Sequence, residues 1–213
     1  MNMKVFGLCT LFLLALGVAA YAVFVYAFLP LGSVLHPDMK ASFLAHRTGI
    51  YAHIFASVVA ISLGPFQFLA SLRQRFVRLH RWMGRAYLGI GVLVGGLAGL
   101  YMATFAFGGI ASKLGFASLA VLWLYTGLRA FLAIRGGRTV EHRRWMVRNF
   151  SLTLAAVTLR ILLPVSGIAG IPFEVAYPAI AWLCWVPNLL VAERWFNRTN
   201  RHSFEPDPLR DPA

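Results

Sequence analysis

Six long apolar runs constrain the fold of this chain more than any other feature. In a chain of 213 residues, they cover roughly residues 5–29, 48–71, 86–107, 112–134, 149–170 and 174–193. Each run is long enough to cross the hydrocarbon core of a bilayer, which takes about 20 residues of helix. The sequence has no strand-length segments of alternating polarity, so helices must satisfy the backbone within lipid. We therefore predict an all-α, polytopic membrane bundle of about six transmembrane helices.

The net charge of +13 is concentrated at alternate ends of these runs. Fifteen Lys and Arg residues lie before the first run, between the second and third, between the fourth and fifth, or after the sixth. Only three lie in the opposite connections: Lys40, Arg47 and Lys113. This bias predicts that both termini of this multi-pass protein are cytoplasmic. The cations are expected to contact anionic lipid headgroups, and because topology already explains them we expect no nucleic-acid partner.

The runs leave no room for a second soluble domain. We predict a single transmembrane bundle over residues 1–196 and a disordered, proline-rich cytoplasmic tail over residues 197–213. The first run begins like a signal peptide but continues far enough to span, so it is predicted to be an uncleaved helix. Two cysteines, Cys9 and Cys184, both within apolar runs, exclude a disulfide framework or a CxxC metal site.

A short phrase occurs twice. Arg81-Trp82-Met83-x-Arg85 and Arg144-Trp145-Met146-x-Arg148 superpose at an offset of 63 residues, each at the start of an apolar run. We interpret this as a parallel repeat in which helices three and four correspond to helices five and six. The alternative is coincidence, because interfacial segments rich in Arg and Trp resemble one another.

Arg160 is the clearest candidate for function, because an ionisable group deep within a spanning helix is costly. At 100° per residue, it shares one helix face with His142, Asn149 and Thr153. Either Arg160 receives an anionic group or quinone oxygen, or it is a structural arginine bonded to carbonyls or a buried partner. The predicted ligand-binding residues are Gln67, Asn149, Arg160 and Asn188.

Histidines at helix ends suggest a haem site, since facing helices hold b-type haem between axial histidines. The candidate haem ligands are His53, His80 and His142, with Arg81 and Arg144 placed to pair haem propionates. His80 and His142 occupy equivalent positions in the two copies of the repeat. The alternative is that they merely contact headgroups. His36 and His202 are predicted to be solvated loop and tail residues.

Several segments together resemble a bacterial family of predicted membrane proteins known only as a domain of unknown function. They are Tyr51-Ala52-His53, Gly64-Pro65-Phe66-Gln67-Phe68, Leu79-His80-Arg81-Trp82-Met83-Gly84-Arg85, His142 to Arg148, and Ala155 to Arg160. The resemblance covers roughly residues 45–195. It implies a small multi-helix inner-membrane protein with these His and Arg positions as its motif, and no established activity. A looser similarity to cytochrome b561 bundles is analogy alone.

Three hypotheses follow. The first is a redox membrane protein associated with haem b or a quinone. The second is a transporter or receptor for a small anionic or amphipathic molecule, with Arg160 as counter-charge. The third is a non-catalytic accessory subunit that holds lipid or a partner. Hydrolytic catalysis has no support, because no nucleophile motif, phosphate loop or carboxylate pair is present in the sequence.

Overall fold

A computed structural model describes residues 3–202 of the chain, and the side chains of residues 6–194. Within that range the chain is helical, with no strand, and has six helices long and apolar enough to cross a membrane. We number these spans 1 to 6 in chain order: Phe6–Phe28, Arg47–Phe68, Val77–Ala103, Gly109–Arg135, Thr139–Ile168 and Phe173–Arg194. The predicted all-α, polytopic membrane bundle is confirmed.

Spans 3 and 5 begin at Val77 and Thr139, about two and a half helical turns or more before the predicted starts at residues 86 and 149. The helix Val77–Ala86 precedes the apolar part of span 3, and the helix Thr139–Thr153 begins span 5. Both copies of the repeated phrase are therefore helical. An apolar run marks only the part of a helix that lies in hydrocarbon, while long Arg side chains let the same helix continue into the interface.

Several spans are composite, and proline explains two of the breaks. Span 2 ends as an α-helix at Leu63 and continues as the 3₁₀ helix Pro65–Phe68. Span 6 consists of Phe173–Leu183 and Val186–His202, the second part having Pro187 in its first turn. Proline fits there because its missing N–H is one that a helix start leaves unbonded.

Spans 3 and 5 are interrupted in other ways. Span 3 contains the π-helical stretch Tyr87–Val94, followed by the α-helix Gly95–Ala103. Span 5 has a turn at Leu154 between the helices Thr139–Thr153 and Ala155–Ile168, and the second of these helices contains Pro164. A proline at this position frees the backbone carbonyl four residues earlier, that of Arg160.

Span 4 packs against spans 3, 5 and 6. Span 2 packs against spans 1 and 3, and span 1 also contacts the second helix of span 5, Ala155–Ile168. A short helix, Pro37–Ala45, connects spans 1 and 2. We call it the cap helix. The final helix extends to His202, past the predicted boundary at residue 196, and residues 203–213 of the predicted tail lie outside the described residues.

Glycines in span 3 allow span 2 to approach closely. A Cβ on Gly91 would lie 2.7 Å from Ala60 Cβ, and a Cβ on Gly99 would lie 2.8 Å from His53 Nδ1. Both separations are shorter than van der Waals contact. Small residues at such spacing let helix backbones meet in lipid. The same close contact places the His53 imidazole against span 3.

Candidate functional site

A cavity of about 590 Å³ lies in the half of the bundle away from the arginine clusters. We call it the outer cavity. All six spans contribute to its wall, together with the cap helix and the loop before it. Most of the lining is aliphatic or aromatic, including Ile54, Met102, Phe116 and Leu159. This size and character suit a small amphipathic molecule.

Arg160 is the cationic side chain in the wall of the outer cavity. It lies eight residues before the end of span 5 at Ile168, roughly 12 Å along the helix at 1.5 Å per residue. Its Nη1 donates to the Ala156 carbonyl oxygen at 3.0 Å, and its guanidinium carbon lies 5.6 Å from the centre of the Tyr21 ring. Its Nε is buried and has no hydrogen-bond partner. The guanidinium is thus tethered at one nitrogen and unsatisfied at another.

Acids do not neutralise Arg160 within the described side chains. The ion pairs there join Asp38 to His36, Glu141 to Arg129 and Arg138, and Glu193 to Arg148. Glu174 is exposed at the start of span 6. A buried cation without a protein carboxylate calls for an oxygen from water or from a ligand.

His53 and Ser57 form the second polar element of the outer cavity, one helical turn apart on span 2. His53 Nδ1 donates to the Gly95 carbonyl oxygen at 2.8 Å, since a carbonyl can only accept. In the neutral imidazole, Nε2 is then a hydrogen-bond acceptor. Ser57 Oγ is buried without a partner. His53 also lies near enough to Arg160 for the guanidinium charge to act on the ring.

A network of hydrogen bonds closes the inner end of the outer cavity. Trp123 and Thr153 line the cavity, and Trp123 Nε1 donates to Thr153 Oγ1 at 2.9 Å. Behind them, Tyr87 OH lies 2.8 Å from Thr153 Oγ1 and donates to Asn149 Oδ1 at 2.8 Å. Asn149 Nδ2 donates to the Trp123 carbonyl oxygen at 2.7 Å and to Thr126 Oγ1 at 2.9 Å. We call these five residues the floor network.

The residues of the predicted polar face of span 5 do not all reach the outer cavity. Arg160 and Thr153 reach the outer cavity, whereas Asn149 is fully buried behind its wall. The amide of Asn149 is bonded at both of its ends to neighbouring spans. The structure therefore places Asn149 outside the cavity lining.

The cap helix and its preceding loop cover the mouth of the outer cavity. His36 stacks on Phe173 at the start of span 6, with ring centroids 4.1 Å apart. Asp38 Oδ2 lies 3.4 Å from His36 Nδ1. His36 lies in the loop, as predicted, but its side chain is only 35% exposed, because this stacking joins the loop to span 6. His202 lies outside the described side chains.

The remaining predicted residues lie elsewhere. His80 and His142 are near enough for their charges to interact, but neither lines the outer cavity. Gln67 is buried near Gly84, at the arginine-rich end of the bundle. Asn188 Nδ2 donates to Thr158 Oγ1 at 3.0 Å and joins spans 5 and 6. Arg81 and Arg144 are exposed at the starts of spans 3 and 5.

Tyr21 and Ser57 are site residues that the sequence did not single out. Ser57 carried a weak signal, since it lies four residues after His53 and so shares its helix face. Tyr21 carried none, because nothing in its apolar run shows that it meets Arg160. Of the predicted site residues, His53 and Arg160 both line the outer cavity, and the structure adds Tyr21 and Ser57 to them.

Six apolar spans around a mostly apolar cavity define the chain as a multi-pass helical membrane protein. The chain belongs to the family described as "Predicted membrane protein (DUF2306)", which matches residues 50–196. No curated protein and no solved structure matches it. Span 1 and the cap helix precede the matched region, so the family region supplies Arg160, His53, Ser57 and the floor network.

Proposed function

We propose that this protein binds a small amphipathic molecule in the outer cavity, with an anionic group of the ligand against Arg160. The observation that carries the proposal is the buried, unpartnered Nε of Arg160 in the wall of a cavity of about 590 Å³. A carboxylate oxygen there would accept a charge-assisted hydrogen bond, and the apolar wall would cover the hydrocarbon part of the ligand. Such a protein would act as a receptor or transporter.

Octanoate and octanol provide the test, since they share a tail and differ in charge. Binding is measured by isothermal titration calorimetry on the full-length protein in a non-ionic maltoside detergent. We expect octanoate to bind the wild-type protein more tightly than octanol. Arg160→Gln should weaken octanoate binding by at least about tenfold, the loss of one hydrogen bond to a charged group, and leave octanol binding unchanged.

Arg135→Gln is the matched control, because Arg135 is exposed at the arginine-rich end of span 4 and does not line the cavity. It removes the same charge and should leave octanoate affinity unchanged. Thermal unfolding and gel filtration check that each variant is folded. Equal octanoate affinity in the wild-type protein and Arg160→Gln would contradict the proposal. If Arg160→Gln alone fails to fold, Arg160→Lys retains a charge and should keep part of the affinity.

A redox role with haem or a quinone is the second candidate. It is favoured by the orientation of two histidines: His53 Nδ1 donates to Gly95 and His142 Nδ1 donates to Ala130, both at 2.8 Å. Bonding one ring nitrogen to a carbonyl fixes the ring and presents the other nitrogen to a metal. Protein purified from haem-replete cells should then show a Soret band that shifts on reduction. A colourless, fully folded preparation argues against haem.

We also propose that the protein lies in the inner membrane of a bacterium, with both termini in the cytoplasm. The orientation is supported by the distribution of Lys and Arg, fifteen against three between the two sets of connections. Exposed arginines such as Arg81 and Arg144 lie where headgroups of that leaflet would be. Contact with anionic lipids is expected to follow from this placement.

A further inference from the structure

We infer that the ligand of the outer cavity carries a hydroxyl group in addition to its anionic group, and that His53 Nε2 accepts the hydrogen bond from this hydroxyl. The inference rests on the proposed function and narrows the class of ligand to hydroxylated amphipathic acids. It concerns the polar groups on span 2, which a simple carboxylate bound at Arg160 leaves unused.

The bond from His53 Nδ1 to the Gly95 carbonyl oxygen, at 2.8 Å, determines what the ring offers to a ligand. Nδ1 carries the proton, so Nε2 of the neutral ring has a lone pair and accepts. Because the surrounding wall is apolar, the acceptor His53 Nε2 favours a ligand that brings a hydrogen-bond donor. A ligand hydroxyl is such a donor, whereas a carboxylate or carbonyl oxygen is not.

Ser57 extends this polar element. A Cβ on Gly95 would lie 3.3 Å from Ser57 Oγ, so Ser57 and His53 both pack against the same residue of span 3. Ser57 Oγ is buried and unpartnered, and a hydroxyl both donates and accepts. One ligand hydroxyl placed between them would donate to His53 Nε2 and accept from Ser57 Oγ.

Selectivity follows from the cost of leaving these groups without partners. Leaving a buried polar group unpaired costs more than forming its hydrogen bond gains. A site built around a hydroxyl therefore discriminates against the analogue that lacks it. Plain octanoate would satisfy Arg160 but leave His53 and Ser57 to water or to no partner at all.

The test compares octanoate with hydroxyoctanoates whose hydroxyl lies near the carboxylate, in mid-chain or at the chain end. Isothermal titration calorimetry on the full-length protein gives the affinities. We expect at least one hydroxyoctanoate to bind roughly three- to tenfold more tightly than octanoate, the effect of one neutral hydrogen bond. The preferred position of the hydroxyl then reports the separation between Arg160 and His53.

His53→Asn is the discriminating variant. The Asn Nδ2 can take the place of Nδ1 as donor to Gly95, while the Asn acceptor, Oδ1, lies one bond closer to the backbone than Nε2 and does not reach the same hydroxyl. It should abolish the advantage of the hydroxyoctanoate, measured as the ratio of its affinity to that of octanoate in the same variant. Ser57→Ala, which removes no hydrogen bond within the protein, should reduce the same advantage and is available if His53→Asn does not fold.

The outcomes separate this inference from the proposed function. If octanoate binds through Arg160 but no hydroxyoctanoate binds more tightly, the inference is wrong and the proposed function stands. If the hydroxyl advantage persists in both His53→Asn and Ser57→Ala, the hydroxyl is held elsewhere and the inference is again wrong. If octanoate binding does not depend on Arg160, the proposed function itself fails.

Discussion

Removing the Tyr87 hydroxyl should destabilise the bundle without affecting the outer cavity. Tyr87→Phe deletes two hydrogen bonds of 2.8 Å, to Asn149 Oδ1 and to Thr153 Oγ1. Thr153 keeps the bond from Trp123 Nε1, but Asn149 Oδ1, on a side chain that is 0% exposed, loses its donor. Hydrogen bonds between membrane helices contribute about 0.6 kcal/mol on average and about 1.7 at most. The expected loss of unfolding free energy is therefore roughly 1–3 kcal/mol.

A double-mutant cycle with Asn149→Leu isolates the hydrogen bond between Tyr87 and Asn149. Asn149→Leu alone removes three bonds to Tyr87, Trp123 and Thr126, and should cost about 2 kcal/mol or more. In the Asn149→Leu background, Tyr87→Phe no longer leaves an unpaired amide oxygen. It should then cost about 1 kcal/mol less than in the wild-type protein.

Unfolding in mixed micelles of a non-ionic detergent and sodium dodecyl sulfate gives these free energies, and octanoate titration of each folded variant gives the ligand affinity. Tyr87→Phe should leave octanoate affinity unchanged, because Tyr87 lies behind the cavity wall. If Tyr87→Phe has wild-type stability and binds octanoate more weakly, the argument that the floor network stabilises the bundle without contacting the ligand is refuted. That result would support the sequence-based prediction that Asn149 contacts a ligand.

Two further predictions concern packing and orientation. Gly99→Ala should lower stability by roughly 1–3 kcal/mol, because its Cβ would lie 2.8 Å from His53 Nδ1, whereas Gly89→Ala, with no atom within 4 Å, should not. Mixed-micelle unfolding measures both, and equal stability of the two variants would contradict the packing argument. In a cysteine-free background, a cysteine at Lys40 should react with an impermeant maleimide on intact cells, and one at Arg78 only after permeabilisation. The reverse result would invert the predicted orientation.

The number and placement of the spans could be predicted because hydrophobic length is a property of the sequence alone. The starts of spans 3 and 5 could not, since a helix that leaves the hydrocarbon keeps its geometry while its composition changes. The face shared by Asn149, Thr153 and Arg160 followed from helical periodicity. Periodicity does not show what faces each residue, and here Asn149 meets span 4 while Arg160 meets a cavity.

The histidines show the same limit. His53 was predicted as a candidate haem ligand, but its bond to Gly95 depends on how spans 2 and 3 cross. His36 was assigned to solvent because its segment looks like a loop, and only the start of span 6 supplies the Phe173 ring that covers it. In both cases the decisive partner is distant in sequence and belongs to a different helix. Whether the doubled phrase reflects a real repeat of helices three and four stays a prediction.

The outer cavity divides between the region matched by the family and the segment before it. Arg160, His53 and Ser57 lie within residues 50–196. Tyr21, Tyr26 and the cap helix lie before that region, yet all of them line the cavity. The groups that would bind the charge and the hydroxyl of a ligand therefore belong to the family region, while part of the apolar surface that encloses its hydrocarbon lies before that region. On this basis, substitutions in the family region should change whether a ligand binds, and substitutions in span 1 should change which tail the cavity accepts.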